Sequence, residues 1–261
     1  MKRTIKLFLL FAFSGSFLLS FSFPAKPPVT VYLIGDSTMA DYSLESDYMT
    51  RRYPITGWGQ VFQPFLNREN IRHIAVIRGD SAFVDDRAKG GRSTRTFFEE
   101  GRWSSVYKDL HKNDLVIMQF GHNDAAVNKP ERYVNVAGYK EYLRLYINQT
   151  REKGGIPIVL TPVARNARWA DGHPGDVHGE YAQAAKDVAG ELNAYLIDLN
   201  QLSMDALAEK GQEYVTEHYF MNLPAGEYEA YPAGQKDNTH FQPEGARAMA
   251  GLVYEAMRLL K

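Results

Sequence analysis

The chain has 261 residues, of which 44% are hydrophobic and 23% charged, with a net charge of −1 and no cysteine. These values are typical of one globular domain that is long enough to bury a sizeable core. The near-neutral charge argues against a nucleic-acid partner or an anionic membrane surface. Without cysteine, disulfide bonds and thiol catalysis are both excluded.

The first 22 residues have the pattern of an export signal. A basic start precedes an apolar stretch, in the order Lys2, Arg3, Lys6 and then residues 7–23. Small residues around Ser22 suit cleavage there, and Ala25 is a second candidate for the cleavage position. We therefore expect an exported protein, periplasmic or extracellular, without membrane contact once the signal is removed. The alternative is an uncleaved anchor, because the apolar stretch is near the lower length limit for a span. A proline-rich spacer at 23–29 then leads to a single domain at 30–261.

Beyond the spacer, apolar strand patterns alternate with helical patterns. Strands are predicted at 30–34, 115–120, 156–160 and 195–199, and helices at 57–66, 99–111, 138–153, 178–193, 201–210 and 244–260. Two short apolar segments, 74–77 and 82–84, compete for one further strand. Residues 222–239 contain several prolines and glycines and are predicted to form a long loop. The alternation predicts an α/β domain with a parallel sheet.

Small and polar residues follow three of the predicted strands. Ser37 follows the first strand, Gly91 follows the stretch at 71–87, and Asn123 follows the strand at 115–120. Parallel topology places these positions at one edge of the sheet, where ligands bind in open α/β folds. Ser37 is the candidate nucleophile. The N–H groups of Ser37 and Gly91 and the side-chain amide of Asn123 are candidate donors to an oxyanion.

A general base for Ser37 has to come from a distant part of the chain. Among seven histidines, His240 is the best candidate, because Asp237 lies three residues before it and can accept a hydrogen bond from its Nδ1–H. No Gly-x-Ser-x-Gly segment exists, which argues against the nucleophile elbow of the α/β-hydrolases.

Each of these residues also has a purely structural interpretation. Asp36 and Ser37 suit a turn or a helix cap, and Asp237 suits an Asx-turn that caps the last helix. Gly91 and Asn123 are common turn residues, and His240 could be a hydrogen-bonded loop histidine. What favours catalysis is the occurrence of all these residue types in the appropriate loops.

Four sequence blocks together resemble those of the SGNH hydrolases, which carry Ser, Gly, Asn and His. The blocks are Gly35-Asp36-Ser37-Thr38, Gly90-Gly91-Arg92-Ser93, Gly121-His122-Asn123-Asp124 and Asp237-Asn238-Thr239-His240. Within that superfamily the chain resembles the rhamnogalacturonan acetylesterase branch, through strings such as Gly-Trp-Gly, Gly-Arg-Ser-Thr-Arg-Thr-Phe and Asp-Asn-Thr-His-Phe. The resemblance covers residues 30–258.

This resemblance implies a three-layer αβα, flavodoxin-like fold with a central, mostly parallel sheet of about five strands. It also implies a serine esterase, needing no metal or cofactor, that removes O-acetyl groups from pectic polysaccharide or oligosaccharide. The nucleophile, acid and base of the family fall on Ser37, Asp237 and His240. Its oxyanion donors fall on Ser37, Gly91 and Asn123. We expect the protein to act as a monomer.

Aromatic and guanidinium side chains near the blocks are candidate substrate contacts, since this combination suits a sugar acid better than a fatty chain. The candidates are Trp58, Arg92, Trp169 and Tyr231. A lipase or thioesterase of the same fold, or an esterase of acetylated xylan, remains an alternative. A metallophosphoesterase would require several His and Asp ligands around two metals. A non-catalytic exported carbohydrate-binding protein is the alternative outside the enzymes.

Overall fold

A computed structural model describes residues 26–261, so the predicted signal at 1–22 and the start of the spacer lie outside the described residues. The strands are β1 (Val29–Gly35), β2 (Ala82–Asp86), β3 (Leu115–Gln119), β4 (Ile156–Leu160), β5 (Tyr195–Ile197), β6 (Phe220–Leu223) and β7 (Gln235–Phe241). The helices are α1 (Tyr48–Arg51), α2 (Thr94–Glu99), α3 (Arg102–Asp109), α4 (Val136–Glu152), α5 (Glu180–Glu191), α6 (Leu199–Lys210), α7 (Gln212–His218) and α8 (Pro243–Met257).

Strands β1 to β5 form one sheet in the order β2-β1-β3-β4-β5, and every neighbouring pair is parallel. Parallel neighbours require long crossover connections, which helices usually supply. The connections here contain α1 to α5, and helices pack on both faces of the sheet. The predicted three-layer αβα fold with five central strands is confirmed.

The strand side chains alternate between two buried layers, because successive residues of a strand point to opposite faces. On one face, Val31 and Leu33 of β1 belong to the same cluster as Met249 and Val253 of α8. On the other face, Tyr32 packs with residues of α3, α4 and α5. Full burial of each large apolar side chain contributes roughly 1.5–3 kcal/mol. Among residues 26–261, no helix combines the length and hydrophobicity that a membrane span requires.

Two predicted helices are interrupted in the structure. The segment predicted as a helix at 57–66 consists of two 3₁₀ turns, Gly59–Val61 and Gln63–Leu66, the second with a proline in its first turn. The predicted helix at 99–111 is replaced by α2 and α3, which meet at Gly101 with a left-handed φ of 71°. Apolar spacing alone does not reveal such breaks. Of the two segments that competed for a strand, the later one contributes β2, whereas 74–77 is a buried turn.

The predicted loop at 222–239 is wrong, because its two ends belong to an antiparallel hairpin of β6 and β7. Only the proline- and glycine-rich middle connects the two strands. The sequence lacks the apolar pattern of a strand at β7, because most residues of β7 are polar and only partly buried. Helix α7 was not predicted either. The hairpin matters for the site because Asp237 and His240 lie on β7.

Candidate active site

The carboxyl ends of three neighbouring strands meet at a cleft of about 900 Å³. Ser37 follows β1, Gly91 follows β2 and Asn123 follows β3, and all three line this cleft. The hairpin of β6 and β7 brings Asp237 and His240 to the same place. The structure therefore brings together the five residues that the sequence analysis assigned to the reaction.

Ser37, His240 and Asp237 are connected by a continuous chain of hydrogen bonds. The Ser37 Oγ lies 2.8 Å from the His240 Nε2, although the two residues are 203 positions apart. The His240 Nδ1 lies 2.6 Å from the Asp237 Oδ2. An ionised carboxylate only accepts hydrogen bonds, so Nδ1 carries the hydrogen and Nε2 accepts from the serine hydroxyl. In this tautomer the imidazole is able to take a proton from Ser37.

The backbone around Asp237 holds its side chain in the ionised form. Its Oδ1 accepts hydrogen bonds from the N–H groups of Thr239 at 2.8 Å and His240 at 3.1 Å. Burial acts to raise the pKa of Asp237, but the His240 side chain and these two N–H groups outweigh burial and lower the pKa below its ordinary value. The same short segment therefore orients the carboxylate and keeps it charged.

Donors for an oxyanion lie along the cleft beside Ser37. Within residues 26–261, the backbone N–H groups of Ser37 and Gly91 donate to no backbone acceptor. The Asn123 Nδ2 donates one hydrogen to the Arg92 carbonyl oxygen at 3.0 Å, which leaves its second hydrogen available. Gly91 has a φ of 81°, a conformation that favours glycine. Together these groups are able to stabilise negative charge that develops on a carbonyl oxygen.

Arg132, which the sequence analysis did not single out, orients the Asn123 amide. Its Nη1 donates to the Asn123 Oδ1 at 2.9 Å, so the amide nitrogen points the other way. A Cβ added at Gly91 would lie 3.3 Å from the same Nη1, which places Arg132 against two of the donors. Arg132 lies in the polar segment before α4, where no pattern distinguishes a site arginine from a surface arginine.

A buried polar network beneath the serine joins β1 to β3. Asp36 accepts hydrogen bonds from the Thr38 N–H at 3.0 Å, the Thr38 Oγ1 at 2.9 Å and the His122 Nδ1 at 3.2 Å. Burial acts to raise the pKa of Asp36, but His122 and Thr38 outweigh burial and lower the pKa below its ordinary value. Gln119 continues the network by donating to the Thr38 Oγ1 at 2.6 Å. The network fixes the residues on both sides of Ser37.

The four predicted substrate contacts divide into two pairs. Arg92 and Tyr231 line the cleft. The prediction for Trp58 is wrong, because its side chain is 0% exposed and its Nε1 donates to the Gln119 Oε1 at 2.8 Å within the core. Trp169 does not line the cleft either: its ring packs against the core and its Nε1 donates to the Asn166 Oδ1 at 2.6 Å. Both tryptophans use their N–H groups to satisfy buried acceptors.

Two further histidines lie on one wall of the cleft. The His122 and His178 rings are T-shaped, with centroids 4.5 Å apart. Burial lowers the pKa of His178 well below its ordinary value, so the ring is neutral and its Nε2–H donates to the Val163 carbonyl oxygen at 2.9 Å. In the part of the chain from residue 26 onward, no three His, Cys, Asp or Glu side chains converge on a position that could hold a metal ion. Residues 26–261 therefore lack the cluster of metal ligands that a metallophosphoesterase requires.

The chain is similar to known hydrolases over most of its length. A family model described as the GDSL-like Lipase/Acylhydrolase family matches residues 33–248. The chain is 37% identical to a probable rhamnogalacturonan acetylesterase of Bacillus subtilis (strain 168), with 88% of this chain and 93% of that protein covered. It is 34% identical to a rhamnogalacturonan acetylesterase of the same strain, with 90% and 92% covered. A solved structure of another Bacillus subtilis protein superposes with a TM-score of 0.71 at 26% identity, and the match covers 90% of this chain and 57% of that one.

Proposed function

Because the chain belongs to the GDSL-like lipase and acylhydrolase family, as its four sequence blocks predicted, we propose that it is an exported serine esterase that removes O-acetyl groups from pectic polysaccharide. The observation that carries the proposal is the hydrogen-bond chain from Ser37 through His240 to Asp237. The named relatives support an acetylated carbohydrate as the substrate.

In the first half of the reaction, the acetyl group is transferred from the sugar to Ser37. The His240 Nε2 takes the hydroxyl proton while the Ser37 Oγ forms a bond to the acetyl carbonyl carbon. The carbonyl oxygen becomes negatively charged and accepts hydrogen bonds from the Ser37 and Gly91 N–H groups and the Asn123 Nδ2. When the tetrahedral intermediate collapses, the bond to the sugar oxygen breaks and His240 gives that oxygen its proton.

In the second half, water removes the acetyl group from the serine. The His240 Nε2 takes a proton from the water, whose oxygen attacks the acetyl-serine carbonyl, and the same N–H groups stabilise the second oxyanion. Collapse releases acetate and returns the proton to Ser37. Asp237 stays ionised throughout, stabilises the transient imidazolium and keeps the ring in the productive tautomer.

The cleft lining supports a sugar substrate over a lipid. A long acyl chain needs a mainly apolar groove, whereas this cleft is lined mostly by charged, amide and hydroxyl side chains. Arg92 and Tyr231 are candidate contacts to the sugar, because a guanidinium beside an aromatic ring suits a sugar acid better than a fatty chain. A non-catalytic carbohydrate-binding protein would not require the hydrogen bond between Ser37 and His240.

The export part of the proposal is carried by the sequence of residues 1–22, in which a basic start precedes an apolar stretch. Expression with the full sequence in a secreting host, followed by N-terminal sequencing of the exported protein, tests this part by itself. We expect a new N-terminus close to Ser22. Exported protein that retains Met1 would contradict cleavage.

The esterase proposal is tested by a screen of acetate release. Acetylated rhamnogalacturonan, acetylated xylan, an aryl acetate and an aryl ester of a long fatty acid are supplied at matched ester concentration to the wild type and to Ser37→Ala. We expect the highest kcat/KM for acetylated rhamnogalacturonan, and a loss of about 10⁵–10⁶-fold in kcat for Ser37→Ala. Near-wild-type turnover by Ser37→Ala would end the proposal, and a preference for the fatty ester would favour the lipase alternative.

A further inference from the structure

We propose that Arg165 binds a carboxylate of the substrate, so that the cleft selects acetylated sugar chains that carry a uronic acid near the acetyl group. The inference rests on the proposed esterase function, because it assigns a substrate feature to the same cleft. Arg165 follows β4 and lines the cleft together with Ser37 and His240.

Most cationic side chains of the cleft already have a partner or are exposed to water. The set is Arg52, Lys89, Arg92, Lys129, Arg132 and Arg165. Glu45 pairs with both Arg52 and Lys89, at 3.0 and 2.9 Å. Arg92 pairs with a carboxylate outside the cleft, Arg132 is bonded to the Asn123 amide, and Lys129 is exposed. Each of these five cations therefore has at least one protein partner or is exposed to water.

Arg165 differs from the other five cations. Within residues 26–261 its side chain makes neither an ion pair nor a hydrogen bond, and its Nε is buried. The Arg132 Nε is also buried without a hydrogen-bond partner in this part of the chain, but the Arg132 Nη1 donates to the Asn123 Oδ1. Burial lowers the pKa of the Arg165 guanidinium below its ordinary value, and the carboxylates of Asp36 and Asp237 act in the opposite direction. Both carboxylates are already hydrogen-bonded to histidines. A partly desolvated cation without a partner is costly, so an anion that enters the cleft gains an unusually favourable contact.

The backbone on both sides of Arg165 is fixed before any ligand arrives. The Ala164 N–H donates to the Ser203 Oγ of α6 at 2.9 Å. The Asn166 N–H donates to the carbonyl oxygen of Asn238, the neighbour of Asp237 on β7, at 3.0 Å. The backbone that carries Arg165 is thereby tied to β7, the strand of Asp237 and His240. Such preorganisation lowers the entropic cost of binding.

A uronate is the anion that fits both the guanidinium and the proposed reaction. The planar guanidinium offers parallel N–H donors that match the two oxygens of a carboxylate. Rhamnogalacturonan, the substrate named for the relatives, contains galacturonic acid, so a carboxylate accompanies the acetyl groups along the chain. Acetylated xylan that lacks acidic side groups offers no such anion.

Binding without turnover tests Arg165 most directly. Titration calorimetry measures the affinity of the protein for a deacetylated rhamnogalacturonan oligosaccharide, once as the free acid and once with its carboxyl groups methyl-esterified. We expect the wild type to bind the acid about 10- to 100-fold more tightly than the ester, the range for a hydrogen-bonded charge pair. Arg165→Gln should lose this preference, and Arg165→Lys should keep part of it, because ammonium retains the charge but not the planar pair of donors.

Arg78→Gln provides the matched control, since Arg78 is exposed and precedes β2 at the opposite edge of the sheet from the cleft. It removes the same charge and should keep the wild-type preference for the acid. A preference that persists in Arg165→Gln would overturn the inference, as would an equal loss of affinity for acid and ester. If Arg165→Gln does not fold, Arg165→Lys is tested instead. An Arg165→Lys variant that keeps the full wild-type preference for the acid over the ester would contradict the inference.

The two proposals fail in different ways. Acid-selective binding without acetate release from any ester would contradict the esterase function and leave the Arg165 assignment standing. Acetate release with equal kcat/KM for the free-acid and methyl-esterified forms of acetylated rhamnogalacturonan would contradict the Arg165 assignment alone.

Discussion

The two halves of the site are built on very different supports. The serine half, residues 36–38, follows β1, an interior strand of the main sheet, and is fixed by Asp36, which is 0% exposed. The histidine half, Asp237 to His240, lies on a two-stranded hairpin outside the main sheet and is only partly buried. The proposed nucleophile is therefore positioned by the main sheet, whereas the positions of the proposed acid and base depend on how the hairpin docks.

The hairpin docks through apolar burial and a few neutral hydrogen bonds. Phe220 and Phe241 are buried in the core with centroids 5.2 Å apart. The Thr56 N–H donates to the Phe241 carbonyl oxygen at 2.9 Å. Asn166 binds Asn238 through its backbone and its side chain. A charged network thus supports one half of the site, and amide contacts support the other.

The largest expected effect comes from altering Asp237, the proposed acid of the histidine half, while preserving its shape. Asp237→Asn should lower kcat by about 10⁴-fold, because the amide no longer stabilises the imidazolium and favours the wrong tautomer of His240. Aryl acetate kinetics measure the loss. The control is Asp171→Asn at an exposed position, and equal rates for the two variants would contradict the role of Asp237.

The next largest effect is expected from removing the side-chain donor of the proposed oxyanion site. Asn123→Ala should lower kcat by about 10²–10³-fold, because one stabilising N–H is lost in the transition state. KM should change little. Asn148→Ala, at an exposed position on α4, serves as control, and a loss confined to KM would argue that Asn123 only binds the substrate.

The serine half should respond to acid through Asp36. Its pKa is lowered in the folded protein, so the stabilisation is complete above the ordinary value of about 3.9 and disappears as the pH falls through the folded value. Asp36→Asn should lower the free energy of unfolding at pH 7 by about 2–3 kcal/mol. The variant should also lose less stability than the wild type between pH 5 and pH 2. Urea unfolding at several pH values measures both effects, and parallel pH curves would contradict the assignment.

The smallest effect is expected from loosening the hairpin. The Asn238 Oδ1 accepts hydrogen bonds from the Asn166 Nδ2 at 3.0 Å and the Asn222 Nδ2 at 2.9 Å. Asn238→Ala should cost about 1 kcal/mol of stability and lower kcat several-fold, because His240 is held less firmly. Since no titrating group is removed, the difference in unfolding free energy from the wild type should be the same at pH 7 and pH 4. A difference that grows in acid would contradict this interpretation.

The serine half was far easier to predict than the histidine half. An apolar run that ends in Gly35-Asp36-Ser37 indicates a buried strand that ends at the sheet edge. This pattern can be recognised from neighbouring residues alone. The pairing of β7 with β6 depends on contacts between residues on either side of a loop rich in proline and glycine. The sequence pattern at 222–239 therefore predicts irregular structure. Trp58 was assigned to the substrate because composition does not distinguish a core tryptophan from a binding one. The hydrogen bond between Asp36 and His122 joins residues 86 positions apart in sequence. Arg165 is distinguished only by the lack of a side-chain partner among the residues that the structure describes.

The central claim is that the two halves meet to make Ser37 a nucleophile. The enzyme is mixed with an excess of aryl acetate, and the reaction is stopped rapidly with acid. Peptide mass spectrometry then detects an acyl-enzyme directly. We expect one added acetyl group on the peptide that contains Ser37. This group should be absent in Ser37→Ala and should form far more slowly in Asp237→Asn. An active enzyme that carries no acetyl group under these conditions, or carries it on another residue, would contradict the account.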